Sequence, residues 1–180
     1  MFLKGYYKML DYFSPDYYFE RFDLVTPEFL NEKGIKTLLV DVDNTLAPYE
    51  QSDPDERILS WLSQLNENGI GYAFISNNTS DARIKRFNRM IGAPAYANSA
   101  KPFAKKVINL ALSELGGDIK SSAFMGDQIF TDVCAGKLYG MRSILVPPIN
   151  DKKDLFFRFK RSLEKPILKH YFKKNNTQRR

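Results

Sequence analysis

Between Thr37 and Pro148, short apolar runs alternate with stretches whose apolar residues recur every three or four positions. The runs Thr37–Val42, Gly71–Ser76, Ser122–Gly126 and Ser143–Val146 read as buried strands. The first helix between them is predicted to open at Asp53 as N-cap, with Pro54 at its first position and Glu56 completing a capping box. Its residues Ile58, Leu62 and Leu65 share a face, and Gly69 ends it. A second helix follows Asn78–Asp81 and carries Ile84 and Phe87. A third starts near Pro102 and runs through Val107, Ala111 and Leu115 to Gly116-Gly117; a short fourth, Thr131–Tyr139, stops at Gly140. Strands alternating with helices predict an α/β fold: a Rossmann-like parallel sheet with helices on both faces. The expected division is a domain over 1–148 and a tail over 149–180.

The flanks follow other patterns. Residues 1–30 hold ten of the 25 aromatic residues, without a clear period, and are expected to be core and sheet cover. In the tail, Leu155, Phe159, Leu163, Ile167 and Tyr171 lie four apart, with Arg158, Arg161, Lys165 and Lys169 around them. That spacing predicts a basic amphipathic helix, bent or split at Pro166.

Composition narrows the classes. The 180 residues suit one compact domain, and 43% apolar content excludes wholesale disorder. The single cysteine, Cys134, excludes an internal disulfide and a cysteine-rich zinc site, and its place in a helix pattern suits buried packing. The single histidine, His170, excludes mechanisms that need two; it is expected to be exposed and idle. Lys4, Lys8 and Asp11 interrupt the N-terminal apolar stretch, so it reads poorly as a signal peptide. No run approaches the roughly 18 apolar residues of a membrane span. The expectation is a cytoplasmic protein that meets a membrane, if at all, at the inner surface. The net charge of +6 belongs to the tail: residues 151–180 carry eleven basic residues against three acids.

The candidate chemistry sits where strands end. The first strand finishes in Asp41-Val-Asp43-Asn-Thr45, and ligands of open parallel sheets bind beyond such ends. A carboxylate there can attack phosphorus, and a second one two residues on can protonate the leaving oxygen and then activate water. Such a pair would repel a phosphate dianion unless a cation were present. Ser76-Asn77-Asn78 offers a hydroxyl and backbone amides for phosphoryl oxygens, or an ordinary turn and helix cap. Lys101 is either a cation for the phosphate and the nucleophile or a solvated surface residue. Asp127 and Asp132, in Gly126-Asp127-Gln-Ile-Phe-Thr-Asp132, are suited to holding Mg²⁺ beside Asp41, and Asp132 equally to capping the next helix.

In combination and in this order, the four motifs from Asp41 to Asp132 resemble those of the haloacid dehalogenase (HAD) superfamily of phosphohydrolases. The resemblance implies that Asp41 is the nucleophile and Asp43 the general acid/base. Ser76, with Asn77, would bind the phosphoryl group, Lys101 would neutralise charge and Thr45 would support the loop. It further implies that Asp127 ligates Mg²⁺ together with Asp41 and the main-chain carbonyl of Asp43, with Asp132 supporting the metal site. Only 34 residues separate Asp41 from Ser76 and 24 separate Ser76 from Lys101, which leaves no room for a large cap domain. An uncapped site suits phosphate carried on something bulky. Over nearly the whole chain the motifs are similar to the bacterial YqeG-like branch, itself related to mitochondrial phosphatidylglycerophosphate phosphatases. That similarity implies a lipid-phosphate substrate.

The tail bears on the same question. An apolar stripe edged by Lys and Arg, with Phe156, Phe157 and Phe159 as anchors, can lie against an anionic membrane surface. It can equally pack on the domain, leaving Lys173–Arg180 as a solvated end. RNA binding is the lesser expectation, since no nucleic-acid fold motif accompanies it. The alternatives to a lipid phosphatase are thus a phosphatase of nucleic acid ends or phosphoproteins, and an RNA- or protein-binding module with residual activity.

Overall fold

The computed structural model describes residues 2–150 and 155–175, with side chains over 5–150 and 158–175. Six strands form one parallel sheet: β1 (Tyr17–Tyr18), β2 (Thr37–Val40), β3 (Gly71–Ile75), β4 (Ala95–Tyr96), β5 (Ser122–Gly126) and β6 (Arg142–Leu145), in the order β1-β6-β5-β2-β3-β4. The helices are α1 (Phe2–Phe13), α2 (Pro27–Glu32), α3 (Glu56–Glu67), α4 (Asp81–Asn88), α5 (Lys105–Glu114), α6 (Cys134–Leu138) and α7 (Leu155–Asn175). The four strands expected from the apolar runs are the inner four. The edge strands β1 and β4 have two residues each, too few to display a period.

Alternation along the strands divides the core. Leu38 and Val40 of β2 face the layer built by Ile58, Trp61, Leu62 and Leu65 of α3 and Ile84 and Phe87 of α4. Leu39 faces the opposite layer, with Ile108, Ala111 and Leu112 of α5 and Ala135 of α6. The N-terminal aromatics divide as well. Phe19 and Phe22 are buried, with Phe22 edge-on to Trp61 at 5.2 Å, whereas Tyr6, Tyr7 and Tyr12 of α1 are exposed.

Several boundaries differ from expectation. The N-cap of α3 is Asp55, whose Oδ1 accepts from Ile58 N at 2.9 Å; Asp53 instead pairs with Arg86 at 2.8 Å. Both aspartates suit a cap by residue type, and the position of the first buried residue, Ile58, selects the later one. Helix α5 starts three residues beyond Pro102: Asn98 (φ 49°) and Ala100 (φ 57°) are left-handed, and Phe103 N closes a turn on Ala100 O at 2.9 Å before the helix begins. The expected helix over Thr131–Tyr139 is a π turn, Ile129–Val133, followed by α6. Pro166 does not split the tail helix: α7 runs through it, held to the body by Glu164 before it and by Ile167 and Tyr171 after it.

Ile167 joins Leu10, Ile129, Val133 and Leu145 in a third cluster that seats α7 and α1 over the end of β6. His170 is not idle: its Nε2 lies 2.9 Å from Asp11 Oδ1, and Lys174 reaches the same oxygen at 2.7 Å, joining the two helices. Over its described side chains, the stripe therefore divides. Ile167 and Tyr171 are buried, while Phe159 and Leu163 remain 60% and 47% exposed. The side chains of Leu155, Phe156 and Phe157 lie outside the described residues, as does the end of the expected solvated segment. No helix among the described residues is long and apolar enough to cross a membrane.

Candidate active site

Because the strands are parallel, their carboxyl ends share one edge, and the candidate residues start the loops that leave it. Asp41 follows β2, Ser76 follows β3 and Asp127 follows β5; Lys101 lies in the loop after β4. The chain extends from β2 outward to β4, then crosses to β5 on the other side of β2, so Asp41 and Asp127 flank the point where strand order reverses. The loop after Asp41 closes on itself. Val42 O accepts from the amides of Leu46 (3.0 Å) and Ala47 (3.2 Å), and Asn44 takes the left-handed φ of 64° that this turn requires. Thr45 is thereby brought over the acid, and its Oγ1 donates to Asp41 Oδ2 at 3.1 Å.

Lys101 is the hub. Its Nζ donates to Asp41 Oδ1 at 2.5 Å and to Ile75 O at 2.7 Å, and it lies 2.8 Å from Asp132 Oδ1. It is buried, so its ammonium is available to these groups rather than to solvent. The Asn77 side chain is committed to the Lys101 loop: Nδ2 donates to Lys101 O at 3.0 Å, while Oδ1 accepts from Lys101 N and Ser99 Oγ at 2.7 and 2.9 Å. The Asn77 amide group is thus engaged within the protein, although the residue borders the cleft. Ser76 Oγ accepts from Asn78 N at 3.0 Å and faces Asp43 Oδ2 at 3.5 Å. The carboxylate of Asp43 is gripped by Arg83 Nε at 2.6 Å and Asn78 Nδ2 at 2.9 Å. Arg83 is itself fixed by Gln51 O and Pro48 O, and stacks 5.2 Å from the Tyr49 ring. Asp41, Asp43, Tyr49, Ser76, Asn77 and Gln128 all border a cleft of about 220 Å³.

Asp41, Asp127 and Asp132 each present an oxygen, and the three lie within 4.8 Å of one another. Gly126 makes this possible, since a Cβ there would collide with the Asp132 carboxyl carbon. Asp132 is held over it by Gln128 N, which donates to Oδ2 at 3.0 Å. Burial raises the Asp41 carboxyl to about 7, with Lys101 opposing and Asp132 adding to the rise. Burial, then the charges of Asp132 and Asp41, raise Asp127 to about 8 against Arg161 and Lys101. For Lys101, burial works against the charged form, but Asp132 and Asp41 more than offset it and hold the ammonium charged. Asp127 Oδ1 is buried and has no hydrogen-bond partner among the described residues. Three crowded, electrostatically strained carboxylates with an orphaned oxygen fit a small divalent cation. That set includes Asp132, which the residue pattern suited to the ion and the family resemblance implied only as support. Cys134 nearby is half-buried and its thiol is pushed up to about 11 by burial and by Asp132, so it is protonated packing.

Three contributors were not anticipated from the sequence as part of the site: Arg83, Arg161 and Glu164; Asn78, expected to offer a backbone amide, also gives its side chain to Asp43. Arg161, on α7, donates to Asp127 Oδ2 at 2.5 Å and to Asp127 O at 2.6 Å. Glu164 accepts from Arg161 Nη1 at 2.7 Å and from Ile129 N at 2.9 Å. Glu164 carried a signal, being the one acid among the described residues of a basic helix and three residues from an arginine.

Comparison with known proteins agrees with this architecture. The HAD-hydrolase-like family model matches residues 100–154. The chain is 31% identical over 167 residues to the probable phosphatase YqeG of Bacillus subtilis strain 168, covering 93% of this chain and 96% of that protein. Among solved structures, an uncharacterised protein of Listeria monocytogenes serotype 4b aligns with a TM-score of 0.51 at 19% identity, covering 67% of this chain and 85% of the other. The cobalt-bound deoxy-D-mannose-octulosonate 8-phosphate phosphatase of Haemophilus influenzae aligns with a TM-score of 0.48 at 13% identity, covering 77% and 90%. With a parallel sheet carrying an acid pair, a serine, a lysine and a second acid pair along one edge, and with 31% identity to the Bacillus protein over 93% of its own length, the chain belongs to the YqeG-like family of HAD phosphatases.

Proposed function

We propose that this chain hydrolyses phosphomonoesters with Mg²⁺ through a phosphoenzyme at Asp41. The observation that carries the reading is the position of Asp41, at the wall of the cleft, between the Lys101 ammonium and the acids Asp127 and Asp132. Bound Mg²⁺, held by Asp41, Asp127 and Asp132 with the Asp43 main chain, would offset the charge of nucleophile and phosphate. An Asp41 oxygen attacks phosphorus as the ester P–O bond breaks, and Asp43 delivers a proton to the leaving oxygen. Water then attacks phosphorus, Asp43 accepts its proton, and the P–O bond to Asp41 breaks to release phosphate. Ser76 and the adjoining main chain bind the phosphoryl oxygens, and Thr45 keeps Asp41 oriented.

The acid cluster sets a pH dependence. In the metal-free fold Asp41 and Asp127 titrate near 7 and 8, above the roughly 3.9 of an unfolded aspartate. Between these limits the native state binds more protons than the unfolded one, so metal-free stability falls as pH rises from about 5 to about 8. Mg²⁺ replaces those protons, and its stabilisation should grow over the same window. Thermal melts in EDTA and in Mg²⁺ across this range are expected to diverge as pH rises; a constant gap would contradict this coupling.

The substrate we propose is a phosphate on a bulky carrier, with phosphatidylglycerophosphate as the leading candidate. The two intervals in which a cap could stand hold only α3 with β3 and α4 with β4. Exposed Phe159 and Leu163 lie on a helix bearing Arg158, Lys165 and Lys169, which supports contact with an anionic lipid surface. Phosphate release from this lipid in mixed micelles, beside an aryl phosphate, tests the choice. Preference for the lipid is expected. Aryl phosphate cleavage with none on the lipid would retain the chemistry and remove the substrate, leaving nucleic acid ends or phosphoproteins.

A further inference from the structure

We infer that Arg161 of the C-terminal helix is a positioning residue of the metal site, which holds Asp127 so that one of its carboxylate oxygens faces the cation. The inference rests on the metal-dependent reading above and extends it to α7, a segment outside the four motifs.

Two contacts carry it. The guanidinium grips Asp127 twice, at Oδ2 (2.5 Å) and at the main-chain O (2.6 Å), so both the rotamer and the peptide plane of this residue are fixed. Asp127 Oδ1 is the oxygen left over, buried and without a hydrogen-bond partner among the described residues, in the group it forms with Asp41 and Asp132. A guanidinium fork can hold one residue at two points in this way, whereas an ammonium acts as a point charge. Arg161 is braced in turn by Glu164, whose other oxygen accepts from Ile129 N at the start of the π turn that carries Asp132. Two residues one helical turn apart on α7 therefore secure both segments that supply Asp127 and Asp132. Burial of Ile167 and Tyr171 keeps that part of α7 seated.

A role through charge alone predicts the opposite outcome. A guanidinium beside a divalent cation repels it, so its removal would tighten metal binding and a lysine would substitute for it fully. Positioning predicts weaker binding in both variants, since partners that orient a ligand typically contribute about 10–100-fold in metal affinity.

The test is Mg²⁺ titration of the full chain by calorimetry without substrate, for wild type, Arg161→Gln and Arg161→Lys, together with turnover of an aryl phosphate as a function of Mg²⁺. We expect about 10–100-fold weaker Mg²⁺ binding in Arg161→Gln and a smaller loss in Arg161→Lys, with turnover largely restored at saturating Mg²⁺. If Arg161→Gln fails to fold, Arg161→Lys decides. Mg²⁺ binding equal to or tighter than wild type in a folded variant would overturn the positioning role while leaving the metal reading intact. Wild-type protein that binds no Mg²⁺ would overturn both.

Discussion

Asp41→Asn is expected to lower turnover of any phosphomonoester by on the order of a thousandfold or more, while the melting temperature of the metal-free protein stays level or rises. The two halves of this result have one cause. The carboxylate oxygen is the proposed nucleophile, and an amide in its place cannot form the acyl phosphate. The same carboxylate is buried among Asp127 and Asp132, and burial has already raised it to about 7. Removing its charge relieves a repulsion, and Lys101 keeps Asp132 at 2.8 Å and Ile75 O at 2.7 Å as partners. Activity assays beside melts in EDTA check both halves. Loss of activity with a collapse of stability would assign Asp41 a structural role instead.

Lys101→Met should lose activity and stability together. The ammonium is buried and lies within 2.8 Å of both Asp41 and Asp132, so its removal leaves two buried carboxylates without a positive partner. Breaking a buried ion pair from one side typically costs about 3–5 kcal/mol. The same change deprives the developing charge of a fixed cation, an effect on the order of a hundredfold to a thousandfold in kcat. Denaturant melts in EDTA and steady-state assays in Mg²⁺ measure the two effects separately. A Lys101→Met protein as stable as wild type would contradict the hub assigned to this residue.

These two residues also mark what the sequence made legible. Asp41 stood out because it follows an apolar run buried on both faces, a pattern that parallel strands impose. Lys101 had no such local mark: it follows a two-residue edge strand and a left-handed loop, and only its order among the other motifs singled it out. The N-cap of α3 was displaced to Asp55 because two aspartates two residues apart are equally good caps, and only core packing chooses between them. Arg83 and Arg161 act on acids 40 and 34 residues away, and no periodicity encodes such a pairing. The tail was ambiguous for a related reason. A stripe edged with basic residues specifies that something apolar covers it, and the fold settles that for Ile167 and Tyr171 the cover is the body of the protein.

The most direct measurement is acid quenching of the enzyme during turnover of a phosphate-labelled aryl ester in Mg²⁺, followed by peptide mapping. The mechanism predicts label on the peptide at Asp41, lost on a chase with unlabelled ester and absent from Asp41→Asn. Sustained turnover with no label at Asp41, or with label on another residue, would contradict it.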